Sequence, residues 1–124
     1  MLNIEIAFPE KILSNEELQN LNPEYNLKRL EKKLGIKERR VVEEGQTSLD
    51  LALKACNQLF EKYDKHQIDY VIYCTQSPEY FLPTTACILQ SKLELGLNVG
   101  AFDYNLGCSG YIYGLSMAKS FIQS

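Results

Sequence analysis

Alternating strand-like and helix-like segments predict an α/β fold for this chain. Three observations carry the expectation. Residues 68–75 (IDYVIYCT) and 99–104 (VGAFDY) are nearly continuous apolar runs with β-branched and aromatic residues, the pattern of strands covered on both faces. Between and after them, apolar residues recur at helical spacing. Strand, helix, strand, helix, in that order, implies right-handed crossovers and a largely parallel or mixed sheet between helix layers.

The elements follow in order. Leu2, Ile4, Ile6 and Phe8 alternate at even positions, a period of two that predicts a half-buried strand ended by Pro9. Ser14 followed by Glu17 is a capping-box signature and opens a short helix running toward Leu21. Leu27, Leu30 and Leu34 mark one face of a second helix, with Gly35 placed as its C-terminal stop. Thr47 or Ser48 caps a third, whose stripe includes Leu49, Leu53, Cys56 and Phe60. His66 falls in a polar surface turn, 64–67, with no carboxylate or nucleophile at local spacing. After the strand at 68–75, Pro83 is placed as the first residue of a helix running through Ala86, Leu89 and Leu93. The last helix, from about Cys108 to Ile122, presents Ile112, Leu115, Ala118 and Ile122 on one face.

Composition bounds the class. The 124 residues have 45% hydrophobic content, 23% charged content and a net charge of −3, which fits one ordinary soluble domain and excludes a disordered or fibrous chain. No apolar run reaches the roughly 18 residues of a membrane span, and the start lacks a signal-peptide pattern, so a cytoplasmic location is expected. The four cysteines are widely spaced, contain no CxxC and accompany a single histidine, which favours free thiols and argues against a metal site. Cys56, Cys74 and Cys87 are expected to pack in the core.

The charge is unevenly placed. Between Lys28 and Arg40 lie seven basic and two acidic residues, a local +5 that leaves −8 for the other 111 positions. Such a segment can hold phosphate or an acidic protein surface, or simply be a solvated helix face. Nucleic acid is a poor partner, because the patch is short and the remainder repels a polyanion.

One constellation carries chemistry. In Gly107-Cys108-Ser109-Gly110, a cysteine sits between two glycines, after a strand and at the mouth of a helix. Glycines relieve crowding at a sharp strand–turn–helix elbow, and a helix N-terminus offers unpaired N–H groups and a dipole that favour thiolate. Those same groups can bind a developing oxyanion. The alternative is a small core residue at a tight turn.

Residues 102–118, FDYNLGCSGYIYGLSMA, resemble the nucleophile segment of the β-ketoacyl-acyl carrier protein synthase III enzymes, members of the thiolase superfamily. LGIKERRVV, SLDLALKAC and IDYVIYCTQSPEYFLPTTACILQSKL are similar to further segments of that family, in its order. The resemblance implies a thiolase-like fold, of which residues 1–124 would be an incomplete N-terminal half lacking the C-terminal half. It implies a cytoplasmic acyltransferase of fatty acid biosynthesis that moves an acyl group from acyl-CoA to Cys108 and condenses it with malonyl-acyl carrier protein. Losing an oxyanion-hole donor in such chemistry typically costs about 3–4 kcal/mol.

By the same resemblance, Arg29 and Lys33 stand where the family grips coenzyme A. Leu82 stands in a loop that shapes the acyl pocket across a homodimer interface. Coenzyme A thioester enters as substrate, with no cofactor and no metal; acyl carrier protein and a second copy are the implied partners, without nucleic acid or membrane. The family's catalytic histidine and asparagine lie outside this sequence; neither His66 nor Asn105 matches them, so the segment alone is expected to be inactive and to self-associate. Two alternatives accompany this reading: a non-catalytic dimerisation or assembly module, and another thiolase-superfamily acyltransferase sharing the cysteine elbow.

Overall fold

The computed structural model describes residues 3–124; Leu2 and the Leu30 side chain lie outside what is described. The chain forms two compact units, one of residues 8–46 and one of residues 47–124 together with the chain's beginning.

In the smaller unit, strand β1 (Ile12–Ser14) leads into helix α1 (Asn15–Leu21). The expected capping box is present: Glu17 N donates to Ser14 Oγ at 3.1 Å while Ser14 N donates to Glu17 Oε2 at 2.8 Å. The two Ser14 hydrogen bonds, backbone first, hold the Glu17 carboxyl below its usual range. Helix α2 (Leu27–Leu34) ends where expected, on Gly35 in the left-handed region at φ 74°, whose N–H returns to Glu31 O at 2.7 Å. Strand β2 (Glu38–Arg40) pairs antiparallel with β1, Ile12 opposite Arg40.

Apolar burial is sparse in this unit. Leu27 is buried, but Leu34 stays exposed. The unit is cross-linked instead through Asn15. Its amide donates to Glu31 Oε2 and to Ile36 O, each at 2.8 Å, and its Oδ1 accepts from Arg39 Nη2 at 2.8 Å.

The larger unit contains helix α3 (Ser48–Phe60), a 3-10 turn (Lys65–Gln67), strand β3 (Tyr70–Cys74), helix α4 (Thr85–Lys92), strand β4 (Gly100–Tyr104) and helix α5 (Gly110–Gln123). Strands β3 and β4 pair in parallel, Tyr70 opposite Gly100 and Cys74 opposite Tyr104. The α3 stripe does what its period requires: Leu49 joins Leu89, Leu93 and Leu95 in the core, with Leu53, Cys56 and Phe60 packed against it. Burial pushes the Cys56 thiol up, consistent with a core role.

Several expectations are corrected. Residues 3–8 form no strand, and Ile4, Ile6 and Phe8 are exposed; a period-two pattern makes a strand only where a partner supplies hydrogen bonds, and none is present among the described residues. The α/β class holds, but as two two-stranded sheets, one antiparallel and one parallel, rather than one larger sheet between helix layers. Pro83 follows a cis peptide and precedes Thr84, the N-cap, so α4 starts two residues later than the proline suggests. On α5, Ile112 and Ile122 are exposed; the helix packs through Phe121, stacked on Tyr70 at 4.5 Å between ring centroids. Cys74 is exposed at the end of β3 rather than packed in the core.

Candidate active site

The turn carrying Cys108 is bounded by the last residue of β4, Tyr104, and the first of α5, Gly110. Gly110 N donates to Gly107 O at 2.8 Å and closes the turn, while Tyr113 N reaches back to Ser109 O at 3.2 Å to start the helix. Cys108 is solvent-exposed one residue before Ser109, the N-cap of α5. Among the described residues, the N–H groups of Cys108 and Ser109 have no backbone acceptor, as expected for the first N–H groups at a helix mouth. A thiol and free donors are therefore neighbours on one exposed turn, the minimum for a nucleophile whose product carries negative charge on oxygen.

The expectation that the glycines relieve crowding holds at Gly110 and not at Gly107. Neither Gly107 nor Gly110 adopts a positive φ, and a Cβ on Gly107 would meet open space. Gly110 is required for room: a Cβ there would collide with Cys74 Sγ. Cys74 in turn donates to Leu106 O at 3.7 Å, so its sulfur fills the space behind the turn.

Asp103, one residue before the end of β4, has a task that sequence reasoning did not assign. Its carboxylate accepts from Thr85 N at 2.7 Å and from Ala86 N at 2.6 Å, capping α4 from a neighbouring strand. Thr84, although the N-cap residue, makes no side-chain cap bond. The available signal was an aspartate inside an otherwise apolar run, where an anion needs donors to be tolerated.

The loop between β3 and α4 leaves the same end of the parallel pair as the Cys108 turn, because both follow the C-terminal ends of adjacent strands. It is pinned at three points: Ser48 Oγ donates to Ser77 O at 3.3 Å, Ser77 N to Thr75 Oγ1 at 3.0 Å, and Glu79 N to the fully buried Thr85 Oγ1 at 3.1 Å. At its tip, Phe81 and Leu82 are 97% and 82% exposed. Cys108 and Leu82 thus share one end of one unit.

Arg29 and Lys33 belong to the smaller unit, both exposed and one helical turn apart on α2. A hollow of about 430 Å³ on the same unit is lined by Lys28, Lys32 and Lys37 with Glu31 and Gly35, and by neither Arg29 nor Lys33. The helical period sets the Arg29–Lys33 pair apart from Lys28 and Lys32, and the summed charge of the segment did not distinguish them. His66 is exposed in its turn, where its N–H donates to Asp64 Oδ1 at 3.0 Å. Among the described residues, no three His, Cys, Asp or Glu side chains are placed to hold a metal ion, and no helix is long and apolar enough to cross a membrane.

Comparison with known proteins finds similar sequences and structures named as synthase III enzymes. β-Ketoacyl-[acyl-carrier-protein] synthase III of Sulfurimonas denitrificans is 41% identical over 119 residues, covering 94% of this chain and 35% of that protein. A crystal structure of a 3-oxoacyl-(acyl-carrier-protein) synthase III superposes with a TM-score of 0.86 at 45% identity, over 95% of this chain and 36% of that one. The enzyme of the same name from Aquifex aeolicus VF5 superposes with a TM-score of 0.88 at 31% identity, over 98% of this chain and 39% of its own. The chain spans about a third of the length of the relatives it matches. No protein-family model matches the chain.

Proposed function

We propose, from the premise that this chain is a homologue of β-ketoacyl-[acyl-carrier-protein] synthase III over about a third of that enzyme's length, that Cys108 is the nucleophile of a condensing acyltransferase. The observation that carries the reading is the exposed Cys108 beside unpaired N–H groups at the mouth of α5.

In the first half-reaction the Cys108 thiolate attacks the thioester carbonyl of an acyl-CoA. The carbonyl oxygen takes up negative charge, which the N–H groups of the turn stabilise. Collapse of this adduct breaks the bond to the coenzyme sulfur, which leaves as a thiolate and takes up a proton, and the acyl group stays on Cys108. In the second, malonyl-acyl carrier protein loses carbon dioxide, and the resulting carbanion attacks the acyl carbon. Cys108 leaves as thiolate and a β-ketoacyl thioester is released. The groups that would promote decarboxylation lie outside residues 1–124.

Arg29 and Lys33 would take the nucleotide end of coenzyme A. A guanidinium can stack on adenine and an ammonium can pair with phosphate, although Lys33 lacks the fork that arginine would offer. Leu82, exposed at the tip of its loop, is suited to a pocket completed by a second copy. Acyl carrier protein, a homodimeric state, a cytoplasmic location and a place in fatty acid biosynthesis belong to the same reading, as does the assignment of residues 1–124 to an N-terminal thiolase-like half.

The test is direct. Incubated with a short acyl-CoA, the intact protein should gain the mass of one acyl group on the Cys108 peptide, and Cys108→Ser should gain none. An adduct that persists in the serine variant, or that resides on Cys74, would overturn the assignment.

A further inference from the structure

Tyr104 is the last residue of β4, and its side chain reaches forward over the turn into α5. The hydroxyl donates to Gly110 O at 2.5 Å and lies against Gly114, in the space that a Cβ there would need. Gly110 O and Gly114 N–H are an i, i+4 pair, which an uninterrupted α-helix joins directly. The phenol thus bonds the acceptor of one rung of the ladder and packs against the residue that carries its donor.

Two small residues make this approach possible. A Cβ on Gly114 would collide with Tyr104 Oη, whereas the ring carbons Cζ and Cε1 would lie at 3.5 and 3.9 Å, ordinary contact. On the other side, the Cys74 sulfur fills the space that a Gly110 Cβ would need. Burial, then the Cys74 thiol, push the phenol above its ordinary value, while the Gly114 N–H pulls it down.

From this geometry we infer that Tyr104 is a positioning residue for Cys108: its hydroxyl, held between Gly110 and Gly114, sets the first turn of α5 and so aims the thiol and the adjacent N–H groups. The consequence for catalysis rests on the reading of Cys108 as nucleophile; the geometric part does not.

Two rates measured on the intact protein test it. One is alkylation of Cys108 by iodoacetamide, resolved by peptide mass so that the exposed Cys74 is counted separately. The other is single-turnover acylation by a short acyl-CoA across a concentration series. Tyr104→Phe keeps the ring and removes the link; it should slow both reactions at Cys108 roughly five- to tenfold, the worth of one hydrogen bond, with the half-saturating acyl-CoA concentration unchanged. Gly114→Ala, which denies the hydroxyl its place, should slow them by a similar factor. The double variant should be no slower than Tyr104→Phe, because without the hydroxyl the new methyl group meets only ordinary contacts.

A general loosening of the structure would instead multiply the two effects and raise the half-saturating concentration. That pattern, or wild-type rates in Tyr104→Phe, would overturn the inference. If Tyr104→Phe does not fold, Gly114→Ala decides alone, and an unchanged alkylation rate there refutes it. If wild-type protein takes no acyl group while alkylation at Cys108 still depends on Tyr104, the nucleophile reading fails and the positioning role stands.

Discussion

Replacing Asp103 should cost more stability than an exposed carboxylate would, and the loss should appear on a different element. The two N–H groups that it accepts from, on Thr85 and Ala86, belong to residues with no exposed surface. In Asp103→Ala both donors lose a charged acceptor and have no water to turn to. A buried donor left unsatisfied costs about 1–3 kcal/mol, so two predict roughly 3–5 kcal/mol once partial relaxation is allowed. Asp103→Asn keeps one acceptor oxygen and turns an amide NH2 toward the other N–H, so it should lose about half as much. Urea unfolding of the intact protein, read by circular dichroism, gives the two free energies, and hydrogen exchange at the Thr85 and Ala86 amides locates the loss. A change below about 1 kcal/mol in Asp103→Ala would refute the reasoning, as would an asparagine variant as damaged as the alanine one. So would exchange that accelerates everywhere except the first turn of α4.

The remaining expectations concern a helix end and a buried phenol. Gly35 has φ 74° with open space around a would-be Cβ, so Gly35→Ala should destabilise the end of α2 by about 1–2 kcal/mol through the backbone alone; Gly35→Asn should cost less, and thermal melts rank the two. Burial pushes the Tyr73 phenol up, so the folded state holds its proton more tightly than the unfolded chain does. That stability is fully present below the ordinary phenol value, about pH 10, and is lost as pH rises through the folded one; Tyr73→Phe should therefore flatten the alkaline fall in denaturation midpoint, and an unchanged slope would contradict the assignment.

What could be read from sequence was mostly what local chemistry decides. Ser14 with Glu17, and Gly35 after Leu34, mark helix ends because capping uses atoms within one turn, and both were found where expected. The place of Cys108 at the mouth of α5 was legible for the same reason, since glycines and a helix mouth are contiguous features. Alternation at positions 2–8 was legible but misleading, because a strand exists only through a partner that local pattern cannot supply. Strands β1 and β2 were missed as three-residue segments whose pairing joins Ile12 to Arg40. Asp103 and Tyr104 were read as part of the strand's pattern; their tasks lie on α4 and α5, reached only across the fold.

The amide of Asn15 has a consequence for how the smaller unit meets its surroundings. It stands between Glu31 and Arg39 as a neutral adaptor, donating a hydrogen bond to the acid and accepting one from the base. A direct pair of those two charges would weaken as counterions crowd in. With an uncharged adaptor between them, acid and base share one network without relying on their mutual attraction. The scaffold beneath the basic segment should then keep its shape as ionic strength changes.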